Sequence, residues 1–106
     1  MKKLKELLHD KHVLQLEKRL EGYGYSTITF HEYSNNDRNG ELDLVGFDTY
    51  RNSALIVEYK GTHSHKRKVK AKDQLRRGAD YLHSLGVDKV YGLYVADNKV
   101  RELFKW

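Results

Sequence analysis

The sequence predicts one small α/β domain, in which helices flank a central mixed β-sheet. The 106 residues are enough for one hydrophobic core and too few for two. Segments rich in Leu, Lys and Glu alternate with short β-branched and aromatic runs, which is typical of helices followed by strands. Hydrophobic residues make up 39% of the chain and charged residues 33%, so a compact core can close. No linker or internal repeat is present, and we treat residues 1–106 as a single domain.

The predicted elements follow the order αβββαβα. Residues 2–21 are expected to form a helix that ends at Gly22-Tyr23-Gly24, with its leucines divided between two faces. Next come a strand over 25–33, a loop over 34–40, an antiparallel hairpin of 41–47 and 54–60, a helix over 69–85, a buried strand over 90–96, and a short terminal helix ending in Leu103, Phe104 and Trp106.

The composition excludes several kinds of protein. The chain has no cysteine, which rules out disulfides, thiolate metal sites, iron–sulfur clusters and a cysteine nucleophile. No apolar stretch approaches the ~20 residues needed to cross a bilayer, and the start of the chain lacks the apolar run of a signal peptide. We therefore expect a cytoplasmic protein without a membrane partner.

Positive charge is concentrated in one segment, residues 66–77. The chain has a net charge of +5, and this segment alone holds seven cations and one anion. Such a segment suits a polyanion, because Lys and Arg that neutralise phosphates release counterions. The alternative is a solvated helix face. The candidate phosphate contacts are Lys66, Arg67, Lys68, Lys70, Lys72, Arg76 and Arg77.

The hairpin brings two carboxylates together. Strand side chains alternate between faces, so Glu58 and Lys60 are neighbours. If the strands pair about a four-residue loop at 49–52, Asp43 lies opposite Glu58, with Cβ atoms about 4.5–5.5 Å apart. The two carboxylates repel unless a cation lies between them, and Mg²⁺ or Mn²⁺ fits oxygen ligands. The alternative is that both are strand-edge charges paired with Lys60 or Arg51.

At these residues the sequence resembles the PD-(D/E)XK nuclease superfamily. The resemblance lies in Gly40-Glu41-Leu42-Asp43-Leu44-Val45 followed by Leu55-Ile56-Val57-Glu58-Tyr59-Lys60, although Leu42 stands where the signature has Pro. It implies a restriction-endonuclease-like sandwich with an αβββαβ core. It also implies that Asp43, Glu58 and the backbone carbonyl of Tyr59 bind Mg²⁺, for which Mn²⁺ can substitute, and that Lys60 is the catalytic lysine.

The resemblance extends to other positions. It implies that a first-helix glutamate completes the metal site, for which Glu17 is the candidate and Glu21 or Glu6 are alternatives. Gln74 looks like the glutamine that many members carry on the helix after the third strand. In the Holliday junction resolvases of this superfamily, a serine in the loop before the Asp strand assists catalysis. The resemblance implies this role, at the DNA-binding surface, for Ser34 or else Ser26. Outside the resemblance, His63 and His65 are expected in an exposed loop. The spacing of the remaining histidines indicates no metal site: His9, His12, His31 and His83.

Within the superfamily, the sequence is most similar to archaeal and archaeal-virus Holliday junction resolvases, which act as homodimers. We therefore expect a metal-dependent endonuclease that recognises branched DNA by shape. A nuclease for linear, nicked or flapped DNA, in replication, repair or defence, is the alternative within the enzyme class. A catalytically silent DNA-binding module is the alternative from another class, and an RNA substrate also stays open. Most of the eight tyrosines should fill the core, with some placed to stack on unpaired bases.

Overall fold

The computed structural model of the chain describes residues 3–35 and 38–106. Its elements are α1 (Leu4–Gly22), β1 (Ser26–Asn35), β2 (Arg38–Asp48), β3 (Ser53–Lys60), α2 (His65–Ser84), β4 (Lys89–Ala96) and β5 (Lys99–Lys105). The strands form one sheet in the order β1-β2-β3-β4-β5. The pair β3 and β4 is parallel and is joined by α2, and the other neighbours are antiparallel. The predicted α/β fold with a mixed sheet is confirmed. Neither described helix combines the length and the apolarity that crossing a membrane requires.

The two faces of the sheet carry separate cores, because alternate strand residues point in opposite directions. Ile56 belongs to the core under α2, and its neighbour Val57 belongs to the core under α1. The α2 core is the larger one and includes Leu75, Ala79 and Leu82 of the helix. In α1, the face with Val13 packs on the sheet. The other predicted face points away from the sheet, leaving exposed Leu4, Leu7, Leu8 and Leu14.

The β2–β3 hairpin has the predicted register. Leu44 pairs with Val57 and Val45 with Ile56, so the two strands turn through the four residues 49–52. Asn52 adopts a positive φ of 49°, and its side-chain amide donates to the Gly86 carbonyl at 2.9 Å. The turn is thereby tied to the connection between α2 and β4. The pairing ends at Leu44 and Val57, which directly adjoin Asp43 and Glu58 in the chain.

The predicted terminal helix is wrong, because the chain returns as β5 alongside β4. Asp97 and Asn98 both have positive φ, at 53° and 59°, which is the geometry of a two-residue hairpin turn that Asn and Asp tolerate. Along β5, Phe104 is buried while Leu103 and Lys105 are exposed, so the segment has a period of two. The two-residue turn and the alternating burial along β5 therefore favour a strand over a helix of one or two turns.

The predicted loop over 34–40 is also largely wrong. Strand β1 continues to Asn35 and β2 begins at Arg38, while residues 36 and 37 lie outside the described part of the chain. Helix α2 starts at His65, earlier than the predicted Val69, because the Ser64 hydroxyl caps it by accepting from the Arg67 N–H at 3.1 Å. The basic segment is therefore helical throughout.

Gly92→Ala tests the packing of the C-terminal strand. An added Cβ would lie 2.6 Å from Cζ3 of Trp106, so the indole ring must move. We expect a loss of about 1–3 kcal/mol in the free energy of unfolding, together with a red shift in the fluorescence of the single tryptophan. Gly22→Ala is the control, because no heavy atom lies within 4 Å of its Cβ position. Unchanged fluorescence and stability in Gly92→Ala would contradict this packing.

Candidate active site

An irregularity in the β1–β2 pairing places the carboxylate of Asp43. The pairing is interrupted at Phe30 and Asp43, and Phe30 has a φ of +52°, a left-handed conformation that costs about 1–2 kcal/mol for a residue with a Cβ. Leu42 and Val45 both reach the core under α2, although strict alternation would put them on opposite faces. The break in alternation therefore lies at Asp43, and irregularities of this kind redirect a side chain.

Asp43 is held by contacts from β3 and α1. Its Oδ2 accepts a hydrogen bond from the Tyr59 N–H at 3.2 Å and lies 3.3 Å from Nε2 of His9. The β2–β3 pairing ends at Leu44 and Val57, so the carboxylate takes the place of a strand partner for Tyr59. Burial raises the pKa of Asp43, while the Tyr59 N–H and the charges of His9 and Lys60 oppose that rise.

Glu58 is the second buried carboxylate, and only 5% of the residue is exposed. The paired part of β2 and β3 ends one residue before Asp43 and Glu58, so the predicted Asp43–Glu58 strand pair is not formed. Burial first, and the nearby charge of Asp43 second, raise the pKa of Glu58 to about 7. Lys60 opposes this shift, with its Nζ 3.3 Å from Oε1 of Glu58. The structure thus brings together the three residues predicted to carry the chemistry.

His9 is the site residue that the sequence reasoning missed. Its Nε2 lies 3.2 Å from the carbonyl oxygen of Tyr59, in addition to the contact with Asp43, and its Nδ1 lies 3.4 Å from Oδ1 of Asp10. The predicted ligands Asp43 and the Tyr59 carbonyl therefore converge on one atom of α1. A signal was available in the sequence: His9 extends the inward-facing stripe that continues through Val13, Leu16 and Leu20.

The structure does not bring Glu17 to this site. Its carboxylate accepts a hydrogen bond from the Thr27 hydroxyl at 3.0 Å, and Glu21 lies 3.4 Å from the same hydroxyl. Eight residues separate Glu17 from His9, which corresponds to about 12 Å along the helix axis. Glu6 is exposed. The α1 side chain that contacts Asp43 is His9.

The donor set suits a hard divalent cation, although it is not arranged as a metal cage. Among residues 3–35 and 38–106, no group of three or more His, Cys, Asp or Glu side chains is placed to hold a metal ion. Asp43 and the Tyr59 carbonyl share the contact with His9, while Glu58 is paired with Lys60. Two carboxylates, a carbonyl oxygen and an imidazole are ligands that Mg²⁺ or Mn²⁺ accepts, and a cation would relieve the repulsion that raises the pKa of Glu58.

A cleft of about 780 Å³ adjoins these residues, between α1 and the ends of β3 and β4. Lys5, Lys60 and Arg67 line it and supply three positive charges, while Asp97, which pairs with Arg101, supplies one negative charge. The guanidinium of Arg67 is held by donation from Nη1 to the Thr62 carbonyl at 3.2 Å. The ring of His12 forms another part of the wall. A phosphate group would be attracted into this cleft.

The predicted phosphate contacts of α2 divide into two sets. Three of them have protein partners: Lys68 pairs with Glu102 at 2.8 Å, Arg77 with Asp73 at 3.3 Å, and Lys72 lies over the ring of Phe104 at 5.5 Å. Within the described ranges, Lys66, Lys70 and Arg76 are exposed and form neither an ion pair nor a ring contact. Together with Arg67 at the cleft, these remain candidates for binding phosphates.

Among the described residues, no hydrogen bond or ion pair joins the other predicted residues to Asp43 or Glu58. Oε1 of Gln74 is buried without a hydrogen-bond partner in the described part of the chain. Ser34 is exposed and pairs with Asn39 near the far end of the β1–β2 hairpin, and Ser26 is exposed at the opposite end of β1. His63 is exposed as expected, and its Nδ1 lies 3.2 Å from the buried Tyr94 hydroxyl.

Comparisons with known proteins define the fold. No family model and no curated protein matches this chain. The crystal structure of SSO0001 is similar to it, with a TM-score of 0.55 over 97% of this chain and 21% sequence identity. The match covers 52% of SSO0001, so this chain spans about half the length of that protein. At this identity the similarity shows a shared α/β fold.

The raised pKa of Glu58 predicts a pH-dependent stability. Its pKa rises from 4.5 to about 7 on folding, so the protonated form favours the folded state. The resulting stability, on the order of 3 kcal/mol, is present below pH 4.5 and is lost as the pH rises through about 7. We expect Glu58→Gln to lose less stability than wild type between pH 5 and pH 8, as measured by urea unfolding in EDTA.

Glu41→Gln is the matched control, since Glu41 is an exposed glutamate on the neighbouring strand. It should keep the pH dependence of the wild type. Parallel wild-type and Glu58→Gln stability curves would contradict the burial of an ionisable pair.

Proposed function

We propose that this chain is a metal-dependent endodeoxyribonuclease of the PD-(D/E)XK type, most similar to Holliday junction resolvases, which hydrolyses phosphodiester bonds in branched DNA. One observation carries the proposal: the buried carboxylates of Asp43 and Glu58 contact His9 and Lys60, and these two residues line a cleft that holds further cations. Clustered buried carboxylates destabilise a fold at neutral pH unless a cation joins them. A DNA-binding module without catalysis has no need of such a cluster.

The metal would be Mg²⁺ or Mn²⁺, held by Asp43, Glu58, the carbonyl of Tyr59 and the imidazole of His9. When bound, such an ion polarises a phosphate oxygen and lowers the pKa of a water molecule. An imidazole ligand is better suited to Mn²⁺ than to Mg²⁺, which prefers oxygen. We therefore expect Mn²⁺ to support more activity than Mg²⁺ at low concentration.

Lys60 would act on the reacting groups directly. Its ammonium is partly exposed and lies 3.3 Å from Glu58, which fixes it at the edge of the cleft. From there it can donate a hydrogen bond to an attacking water and stabilise negative charge that develops on the phosphate. Lys5 and Arg67 would bind phosphates on either side of the scissile bond. Because phosphate contacts carry no base information, recognition would depend on the shape of the DNA.

Cleavage of defined substrates tests the proposal. We expect paired symmetric cuts in a labelled four-way junction, in the presence of Mg²⁺ or Mn²⁺ and not in EDTA. Asp43→Asn and Glu58→Gln should lower the cleavage rate at least about 100-fold, because each removes a metal ligand, while retaining DNA binding. Glu41→Gln should cut like the wild type. The resemblance also implies a homodimer, which stays a prediction. Paired cuts would agree with it.

The same assay separates the alternatives. Preferential cutting of flapped, nicked, single-stranded or linear DNA would keep the nuclease and change its substrate, and cutting of RNA would change the substrate class. Full activity in either carboxylate variant would reject the assigned site. Binding of DNA without cleavage under all conditions would favour the silent module.

His9→Ala tests the histidine of the site separately. Removing the imidazole takes away one contact with Asp43 and the Tyr59 carbonyl, so the Mn²⁺ concentration for half-maximal cleavage should rise at least about tenfold. His83→Ala is the control, because His83 lies in the last turn of α2 and contacts the Val87 carbonyl. An unchanged metal requirement in His9→Ala would remove His9 from the ligand set.

A further inference from the structure

The cleft has an aromatic wall that the proposed chemistry does not use. The ring of His12 is stacked on the ring of Tyr59, with centroids 5.1 Å apart and an interplanar angle of 22°. Tyr59 is only 5% exposed, and His9 packs against the same ring at 5.6 Å in a tilted arrangement. Tyr59 thus belongs to the core under α1, whereas His12 is partly exposed and lines the cleft. The arrangement fixes an imidazole ring at the cleft wall.

The surroundings of His12 are those of a site for a single nucleic-acid strand. Lys5, Lys60 and Arg67 line the same cleft, and Leu8 adds an apolar side chain. A cationic groove that contains an aromatic platform is the combination by which proteins bind unpaired strands, since every base has a π-face. In a duplex, the faces of the bases are covered by their neighbours, and a base must leave the stack before a side chain can cover it.

The position of His12 relates this platform to the carboxylates. His12 follows His9 by three residues on α1, which corresponds to about 5–6 Å between Cβ atoms. His9 in turn contacts Asp43 and the Tyr59 carbonyl. A nucleotide whose base rests on His12 would therefore have its phosphate close to the carboxylates and Lys60.

We propose that His12, supported by Tyr59, is a stacking platform for an unpaired base next to the scissile phosphate. The preferred DNA would then carry an unpaired nucleotide at the cleavage position, as at a flap or at an opened branch point. This inference rests on the proposed function, in that the cleft must bind a DNA strand. It adds a residue that selects substrates by their pairing state.

The test uses variants of His12 in the Glu58→Gln background, in which DNA is bound and not cut. The probes are a single-stranded oligonucleotide with one 2-aminopurine and the same oligonucleotide in a duplex, and binding is followed by fluorescence. We expect His12→Ala to weaken single-strand binding about tenfold with little effect on the duplex, because one base loses its stacking partner. His12→Phe should restore both the affinity and the quenching of 2-aminopurine. His12→Lys should not restore them, since it supplies charge without a ring.

The outcomes separate this inference from the proposed function. Wild-type affinity in His12→Ala, or rescue by Lys and not by Phe, would overturn the stacking role and leave the nuclease proposal intact. Failure of the parent Glu58→Gln protein to bind either probe, together with absence of cleavage by the wild type, would overturn both. Circular dichroism of each variant checks that the helix is retained.

Discussion

The candidate site depends on one hydrogen bond, from the backbone N–H of Tyr59 to the carboxylate of Asp43. The pairing of β2 with β3 ends just before this point, and the pairing of β1 with β2 is interrupted at Asp43 itself. A side chain therefore completes the bonding that the strand backbone leaves open. A buried N–H without a hydrogen-bond partner would destabilise the fold. The bond therefore stabilises the point at which β2 and β3 stop pairing, and it also fixes the position of the carboxylate. The Tyr59 carbonyl, the His9 ring and the cleft all lie around it.

The electrostatics of the site are a balance between burial and local charge. Burial raises the pKa of both Asp43 and Glu58, and their mutual repulsion raises that of Glu58 further. Lys60 and His9 act in the opposite direction, yet the pKa of Glu58 still reaches about 7. A bound divalent cation would shift this balance, because it favours both ionised carboxylates at once. This balance is the physical argument behind the proposed metal dependence.

The distribution of charge on α2 shows why net charge overstates a binding surface. The segment holds the whole positive excess of the chain. Yet Lys68 is paired with Glu102 of β5, Lys72 lies over Phe104, and Arg77 is paired with Asp73 of the same helix. These cations help to attach α2 to the sheet or to support the helix itself. Among the described residues, Lys66, Lys70 and Arg76 form no ion pair, and a polyanion site on this helix would rely on them and on Arg67.

The sequence by itself determined the α/β class, the core strands and helices, and the register of the β2–β3 hairpin up to Leu44 and Val57, because strand alternation and a four-residue turn are local properties of the chain. Local pattern could not separate a short terminal helix from β5, since a segment of this length with few apolar residues fits either period until it pairs with β4. Only the tertiary structure decided that His9, and not Glu17, meets Asp43. That contact joins residues 34 positions apart, and it depends on how α1 docks on the sheet and on the irregularity at Phe30. Both are consequences of long-range packing, which spacing along the chain does not encode.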